Sequence, residues 1–174
     1  MKGIKRNTAI KKPKAQRVAV FIDTANLYHS AKNLFGARVN FKEVLKDAID
    51  KRSFVRALAY VIKTKTGEER SFVAALKQIG IEIREKELQE YSSGFKKGDW
   101  DVGITVDAIR IAPSVDVIVL LSGDGDFLQL VEYLKNQGKR VEIMAFGKTT
   151  SSKLKEMADE FIDLEENLQK YLLL

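Results

Sequence analysis

The chain has 174 residues, of which 45% are hydrophobic and 31% charged, a composition that fits a globular domain and excludes a wholly disordered chain. It contains no cysteine and one histidine, His29, which excludes disulfides, thiol nucleophiles and zinc sites rich in Cys or His. No apolar run approaches the roughly 20 residues that cross a bilayer, so we expect a cytoplasmic protein without a membrane partner.

The net charge of +6 is concentrated at the start of the chain. Residues 1–17 carry basic side chains and no acidic one, so the remainder of the sequence is close to neutral. We predict a flexible basic arm over residues 1–17 that binds phosphate backbones, although a merely solubilising extension is an equally good interpretation. The cations of this arm assigned to nucleic-acid binding are Lys11, Lys12, Lys14 and Arg17.

Hydrophobic periodicity then predicts alternating strands and helices along the chain. Residues 18–22 form an unbroken apolar run, typical of a strand buried on both faces of a parallel sheet. Further strands are expected over residues 54–62, 81–88, 115–121, 140–146 and 160–164, with a loop over 91–98. Helices are expected over residues 26–35, 40–50, 66–78, 99–111, 124–137, 151–158 and 166–174. This alternation predicts an α/β sandwich around a mostly parallel sheet.

Aspartates follow the two strands that we expect at the centre of this sheet. Asp23 ends the first strand, and Asp124 and Asp126 come directly after the most apolar strand. Ligands of open α/β sheets bind outside the carboxyl ends of the strands, so these side chains should share one crevice. Asp99 and Asp101, at the start of a helix, can close its side.

Several carboxylates gathered in one crevice repel each other unless a cation neutralises them. Oxygen ligands without His or Cys favour Mg²⁺ or Mn²⁺, and two such ions would flank a phosphodiester. Taken singly, most of these aspartates are explained equally well as helix N-caps. The run Ser122-Gly123-Asp124-Gly125-Asp126 is harder to explain in that way, because it places two acids and two glycines after the most buried strand.

Neighbouring residues leave alternatives open. Asn26 either caps the first helix or orients Asp23, and Asp107 either supports the site or pairs with a Lys or Arg. We interpret His29 as a surface residue, and Trp100 either stacks on a nucleobase or belongs to the core. Neither a G-x-x-x-x-G-K-[ST] phosphate loop nor a strand-linked G-x-G-x-x-G is present.

Three segments resemble the NYN domain in its LabA-like branch, which belongs to the PIN-like nuclease superfamily. They are VFIDTANL at residues 20–27, KGDWDVGITVDA at residues 97–108 and SGDGDF at residues 122–127. The similarity runs in order from residue 17 to residue 164, almost the whole chain after the basic segment.

This resemblance implies one domain over residues 18–165 with a PIN-like, Rossmann-like three-layer α/β/α sandwich, followed by a helical tail over 166–174. It also implies metal-dependent cleavage of RNA. The residues it assigns to catalysis and to Mg²⁺ or Mn²⁺ binding are Asp23, Asp101, Asp124 and Asp126. Supporting roles fall on Asn26, Ser122 and Asp107, and nucleic-acid contact falls on Lys97, with which we group the adjacent Lys96.

Our first hypothesis is therefore a Mg²⁺- or Mn²⁺-dependent endoribonuclease that acts on single-stranded or structured RNA. A second hypothesis is a regulatory module of the same fold that binds RNA or protein without catalysis, through the basic arm and the C-terminal leucines. A third is a nuclease of the related flap type, with DNA as its substrate. The sequence is also compatible with a homodimer.

Overall fold

The computed structural model of the chain describes residues 12–94 and 96–174, and for Lys96 and Lys97 it describes the backbone. Its centre is a six-stranded parallel sheet with the strand order β4-β3-β1-β7-β8-β9. These strands are β1 (Arg17–Asp23), β3 (Ser53–Lys63), β4 (Glu82–Glu87), β7 (Val117–Leu121), β8 (Arg140–Ala145) and β9 (Glu160–Asp163). The predicted mostly parallel sheet is confirmed.

Helices cover both faces of this sheet, which gives the predicted three layers. One face packs against α1 (Thr24–Phe35), α2 (Phe41–Ile49), α3 (Arg70–Gln78) and α7 (Leu168–Tyr171). The other face packs against α4 (Asp101–Ile111), α5 (Leu128–Asn136) and α6 (Ser152–Met157). The apolar run at residues 18–22 lies within β1, where both faces of the strand are buried. Val20 and Ile22 pack into the core on the α1 face of the sheet, whereas Ala19 and Phe21 pack into the core on the α4 face.

Local signals in the sequence set where the helices begin and end. The side chain of Asp23 accepts a hydrogen bond from the Asn26 backbone and caps α1, and Asn40 caps α2 in the same manner. Gly36 ends α1 in the left-handed conformation, with a φ of 61°. None of the described helices has the length and apolar character that crossing a bilayer requires.

The predicted helix over residues 166–174 is wrong beyond its first turns. Helix α7 stops at Tyr171, and β10 (Leu172–Leu173) pairs antiparallel with a short strand that we did not predict, β2 (Arg38–Val39). The extended form lets Leu172 bury its side chain, and the Tyr171 carbonyl accepts a hydrogen bond from the Asn40 backbone at 2.7 Å. The tail therefore packs back onto the domain.

Two other predictions need correction. Helix α3 begins at Arg70 rather than at residue 66, because Gly67 adopts a φ of 68° in a preceding turn. The segment predicted as a loop over residues 91–98 contains β6 (Lys96–Lys97), which pairs antiparallel with β5 (Gln89–Glu90). The ladder satisfies backbone groups that a loop would leave to water.

Ion pairs line the edge of the sheet at which the parallel strands begin. Lys12 Nζ lies 3.1 Å from Glu160 Oε2 and 3.5 Å from Glu142 Oε1. Arg17, the first residue of β1, places Nη2 3.0 Å from Asp116 Oδ1. Lys12 and Arg17, which we predicted within a flexible arm, are thus bound to carboxylates of the folded domain.

Candidate metal centre

The site forms where the carboxyl ends of β1 and β7 lie side by side. These strands pair in parallel, with Ile22 opposite Leu121, so that the next residue of each chain segment leaves the sheet at the same edge. The Ser122 hydroxyl bridges the two ends: it donates to Asp23 Oδ2 at 2.9 Å and accepts from the Asp124 backbone at 3.2 Å. Ser122 is fully buried, so this bridge orients Asp23.

A second bridge joins α1 to the segment after β7. Asn26 Oδ1 accepts a hydrogen bond from the Gly123 backbone at 3.0 Å, so its amide connects the two loops and leaves the capping of α1 to Asp23. A Cβ atom at Gly123 would lie 2.9 Å from the backbone of Thr150, so only glycine allows this close approach. Asn26 and Gly123 together hold the acidic loop in place.

Three carboxylates converge in front of these loops. One oxygen from each of Asp101, Asp124 and Asp126 lies within 4.8 Å of the other two. Asp124 also caps a short 3-10 helix by accepting from the Asp126 backbone at 2.9 Å, so the capping role and the clustered position coexist. Helix α4 has no side-chain cap at its N-cap Trp100, and capping therefore does not explain the neighbouring Asp101.

Asp23, Asp101 and Asp124 line one cavity of about 150 Å³, together with Asp99 and Asn26. Burial raises the pKa of Asp23, and the charges of Asp124 and Asp99 add to this effect. Burial and then the charges of Asp124, Asp23, Asp99 and Asp126 raise the pKa of Asp101 from 3.8 to about 6. The cavity thus concentrates negative charge that is only partly compensated by hydrogen bonds.

This donor set fits a hard divalent cation. Mg²⁺ and Mn²⁺ prefer oxygen ligands, and Mg²⁺ coordinates them at about 2.0–2.1 Å. Oxygens within 4.8 Å of one another can reach a common ion with small side-chain rotations. A bound cation would also remove the repulsion that raises the pKa of Asp101.

Asp107 does not join this cluster. Its carboxylate accepts a hydrogen bond from the Tyr60 hydroxyl at 2.9 Å and lies 3.4 Å from Arg84 Nε. Burial and this hydrogen bond raise the pKa of Tyr60. Asp107 thus has the ion-pair partner that one of our two interpretations predicted, and its hydrogen-bond partner Tyr60 lines one wall of the cavity.

The predicted nucleic-acid contacts are scattered. Lys12 and Arg17 lie at the opposite edge of the sheet, Lys14 is exposed in a turn, and Lys11 lies outside the described residues. Lys96 and Lys97 form β6, and Gly98, the next residue, lines the acidic cavity.

Two residues of the cavity wall escaped the sequence analysis. His29 is exposed, as we expected of a surface residue, but it also lies one helical turn after Asn26 and lines the same cavity, a place that we did not predict. Tyr60 comes near the end of β3, opposite Asp23 in the register of the sheet. The helical spacing of Asn26 and His29 could have indicated that His29 lies at the cavity. The place of Tyr60 could be predicted only by knowing that β3 neighbours β1.

Comparison with known proteins finds a matching family and several similar chains. Residues 17–165 match the NYN domain family. The chain is 28% identical to the low amplitude and bright protein LabA of Synechococcus elongatus, over 86% of this chain and 84% of LabA. It is 31% identical to an uncharacterised protein of Methanocaldococcus jannaschii, over 47% of this chain and 35% of that protein. The crystal structure of a protein of unknown function from Vibrio parahaemolyticus superposes with a TM-score of 0.84 at 33% identity, covering 94% of this chain and all of that one.

Proposed function

The chain belongs to the NYN domain family of the PIN-like nuclease superfamily, and on that premise we propose that it is a Mg²⁺- or Mn²⁺-dependent endoribonuclease. The observation that carries this proposal is the convergence of Asp101, Asp124 and Asp126 at the carboxyl edge of a parallel sheet. A phosphodiester brings further negative charge to this cavity, so binding it requires the cation that these carboxylates suit.

Asp101, Asp124 and Asp126 would hold the cation, with Asp23 as a fourth acid in the same cavity. A divalent cation bound there supplies Lewis-acid stabilisation of the phosphodiester and a water of lowered pKa. Ser122 and Asn26 keep Asp23 and the acidic loop in fixed positions through the hydrogen bonds described above. Such fixed positions are what an in-line displacement needs, because misplaced charges stabilise the transition state poorly.

Lys97, which directly precedes Gly98 of the cavity wall, is proposed to contact the phosphate backbone of the substrate. A lysine donates hydrogen bonds and cannot ligate a cation as an ammonium group, so its role is separate from metal binding. Lys97→Ala should then reduce cleavage while the affinity for Mn²⁺ stays at the wild-type value.

The test is a gel assay with end-labelled single-stranded RNA and DNA, in millimolar Mn²⁺ and in EDTA. Wild type should cut RNA internally with Mn²⁺ and not with EDTA. Asp124→Asn should lose at least about 100-fold in rate, since loss of residues that merely support metal ligands already costs 10- to 100-fold. Glu132→Gln, which removes an exposed carboxylate of α5, is the matched control and should cut normally.

Three results would contradict the proposal in different ways. RNA that is bound but never cut would favour a binding module without catalysis. Preferential cutting of DNA would favour a nuclease of the flap type. Equal cutting in Mn²⁺ and EDTA, or full activity in Asp124→Asn, would show that the carboxylates do not act through a metal.

A further inference from the structure

A second concavity opens beside the acidic cavity, on the face of the sheet that α1 covers. This groove has a volume of about 560 Å³ and lies between α1, the start of α2, and α3. Its wall is mainly apolar and includes Phe41, Phe72 and Ile79, and Leu173 of the C-terminal strand also contributes. The proposed cleavage chemistry makes no use of this groove.

The groove carries cations that are not paired with carboxylates. Arg38 and Lys42 line it, and neither forms an ion pair or side-chain hydrogen bond with any residue in the described part of the chain. Lys32 lies nearby, with its Nζ 5.6 Å from the centroid of the Tyr28 ring. Glu68 is the carboxylate of the described lining. These groups therefore favour an anionic ligand.

Aromatic rings connect the groove to the acidic cavity. Tyr28 lines the groove and is 45% exposed, and its neighbour His29 lines the acidic cavity. The two rings meet edge to face, with centroids 5.3 Å apart. Deeper in the groove, the rings of Phe41 and Phe72 lie 5.5 Å apart. Two adjacent residues of α1 thus contribute one ring to each concavity.

We propose that this groove binds the single-stranded RNA that flanks the scissile phosphate, an inference that rests on the proposed function. Tyr28 is the exposed aromatic ring of the described lining, and such a ring beside unpaired cations is a general means of holding single strands, because a base stacks on the ring while phosphates contact the cations. Tyr28 stacks on a base at the entrance, and Arg38 and Lys42 contact the phosphates that follow. Paired bases cannot stack in this manner, so duplex RNA binds weakly here.

Fluorescence anisotropy with a labelled oligouridine of about 12 nucleotides tests the groove, using the full chain in EDTA. Without a cation there is no metal-dependent cleavage and the acidic cavity does not hold a phosphate, so the binding that remains reports on the groove, whose contacts need no metal. Tyr28→Ala should weaken binding at least about fivefold, and Tyr28→Phe should retain most of the affinity. Arg38→Ala/Lys42→Ala should lower the steepness of the salt dependence by about 1.4, or 0.7 for each lost phosphate contact.

The matched control is Lys77→Ala/Lys153→Ala, which removes the same charge from exposed positions of α3 and α6 outside the groove. This control should keep the wild-type affinity and salt slope. The proposal fails if both double variants behave alike, if Tyr28→Ala binds as wild type does, or if the wild type does not bind the oligonucleotide. A melting curve for each variant checks that these exposed substitutions leave the fold intact.

These outcomes are distinguishable from failure of the proposed function. Binding that depends on Tyr28, Arg38 and Lys42 without any cleavage in Mn²⁺ would overturn the nuclease and support the groove. Mn²⁺-dependent cleavage with an unchanged KM in both Tyr28→Ala and Arg38→Ala/Lys42→Ala would support the nuclease and overturn the groove.

Discussion

At the edge where the parallel strands begin, carboxylates lie beside cations, whereas at the edge where they end, carboxylates lie beside one another. Arg52 and Glu142, both fully buried, meet at 2.7 Å at the first edge, and Arg17 and Asp116 pair there as well. At the second edge Asp101 and Asp124 share a cavity whose described lining contains neither Lys nor Arg. The same sheet thus holds one compensated and one uncompensated set of charges.

The pKa values follow this division. Burial alone would raise the pKa of Glu142, but hydrogen bonding to Arg52 and the charge of Lys12 outweigh it, so that the pKa falls. Hydrogen bonds from Arg17 lower the pKa of Asp116 to about 2. The pKa of Asp101 instead rises to about 6. The contrast shows that the first edge compensates its charges within the chain, whereas the second keeps negative charge that a cation would compensate.

The largest effect is expected from breaking the compensated edge. Arg52→Met should lower the free energy of unfolding by about 3 kcal/mol or more, because Glu142 would remain buried without its closest partner. Arg52→Met/Glu142→Leu should recover most of this loss, since no buried carboxylate is left without a partner and the other two cations beside Glu142, Lys12 and Arg140, keep their ion pairs with Glu160. Urea denaturation measures both values.

A matched pair elsewhere sharpens this result. Arg56 and Glu82 form an exposed ion pair with Nε and Oε2 2.8 Å apart, and Arg56→Met should cost less than about 1 kcal/mol. If Arg56→Met and Arg52→Met destabilise the protein equally, burial is not what makes the pairing at the first edge important.

The second effect concerns the uncompensated edge. With Mn²⁺ at about tenfold its dissociation constant, wild type should gain about 1.4 kcal/mol, or roughly 3–5 °C in melting temperature. Asp124→Asn should gain much less from Mn²⁺ and should melt no lower than wild type in EDTA, because the amide removes one of the repelling charges. Glu132→Gln again serves as the control.

A different outcome would change the interpretation of this edge. If Asp124→Asn melts lower than wild type in EDTA and gains as much from Mn²⁺, Asp124 is a structural cap of the 3-10 helix and the metal lies elsewhere.

The two edges should also respond to pH with opposite signs. In EDTA, folded Asp101 binds protons more tightly than the unfolded chain does, so its contribution to stability is full below about pH 4 and is lost as the pH rises through about 6. Asp116, with its lowered pKa, contributes stability above about pH 4 that is lost as the pH falls towards 2.

Melting curves from pH 2 to 7 for Asp101→Asn and Asp116→Asn separate these contributions, which should each amount to about 2 °C or less. The melting temperature of Asp101→Asn should rise relative to that of wild type as the pH rises from about 4 to about 6. The melting temperature of Asp116→Asn should fall furthest below that of wild type above about pH 4. Parallel shifts of both variants across the whole range would show that the two edges do not differ.

The sequence predicted the acidic edge better than the paired one for a physical reason. Asp23 and Asp124 lie at the carboxyl ends of apolar strands, and all strands of a parallel sheet place those ends at the same edge, whatever the strand order is. The Arg52–Glu142 contact joins a turn residue that precedes β3 to a residue of β8, 90 positions away, and only the fold brings the two together. The same holds for Tyr60, whose place beside Asp23 depends on the pairing of β1 with β3.

The end of the chain was mispredicted for a related reason. Residues 166–174 have helical periodicity, but Leu172 and Leu173 form backbone hydrogen bonds with β2, and this pairing outweighs the local preference for a helix. The flexible basic arm was likewise predicted from the charges of residues 1–17 alone. Composition does not reveal that a distant carboxylate such as Asp116 pairs with Arg17.

The smallest expected effect concerns two cations of the N-terminal segment, one paired with a carboxylate of the domain and one not. Arg17 is bound to Asp116 at the edge away from the acidic cavity, whereas Lys14 is exposed and has no ion pair with any described residue. Arg17→Ala should therefore lower the melting temperature only slightly and leave the salt dependence of RNA binding unchanged. Lys14→Ala should leave stability unchanged, and if this segment holds RNA it should reduce the salt slope by about 0.7. Anisotropy titrations at several salt concentrations measure the slope, and an equal reduction in both variants would mean that the Arg17–Asp116 pair opens to bind phosphate.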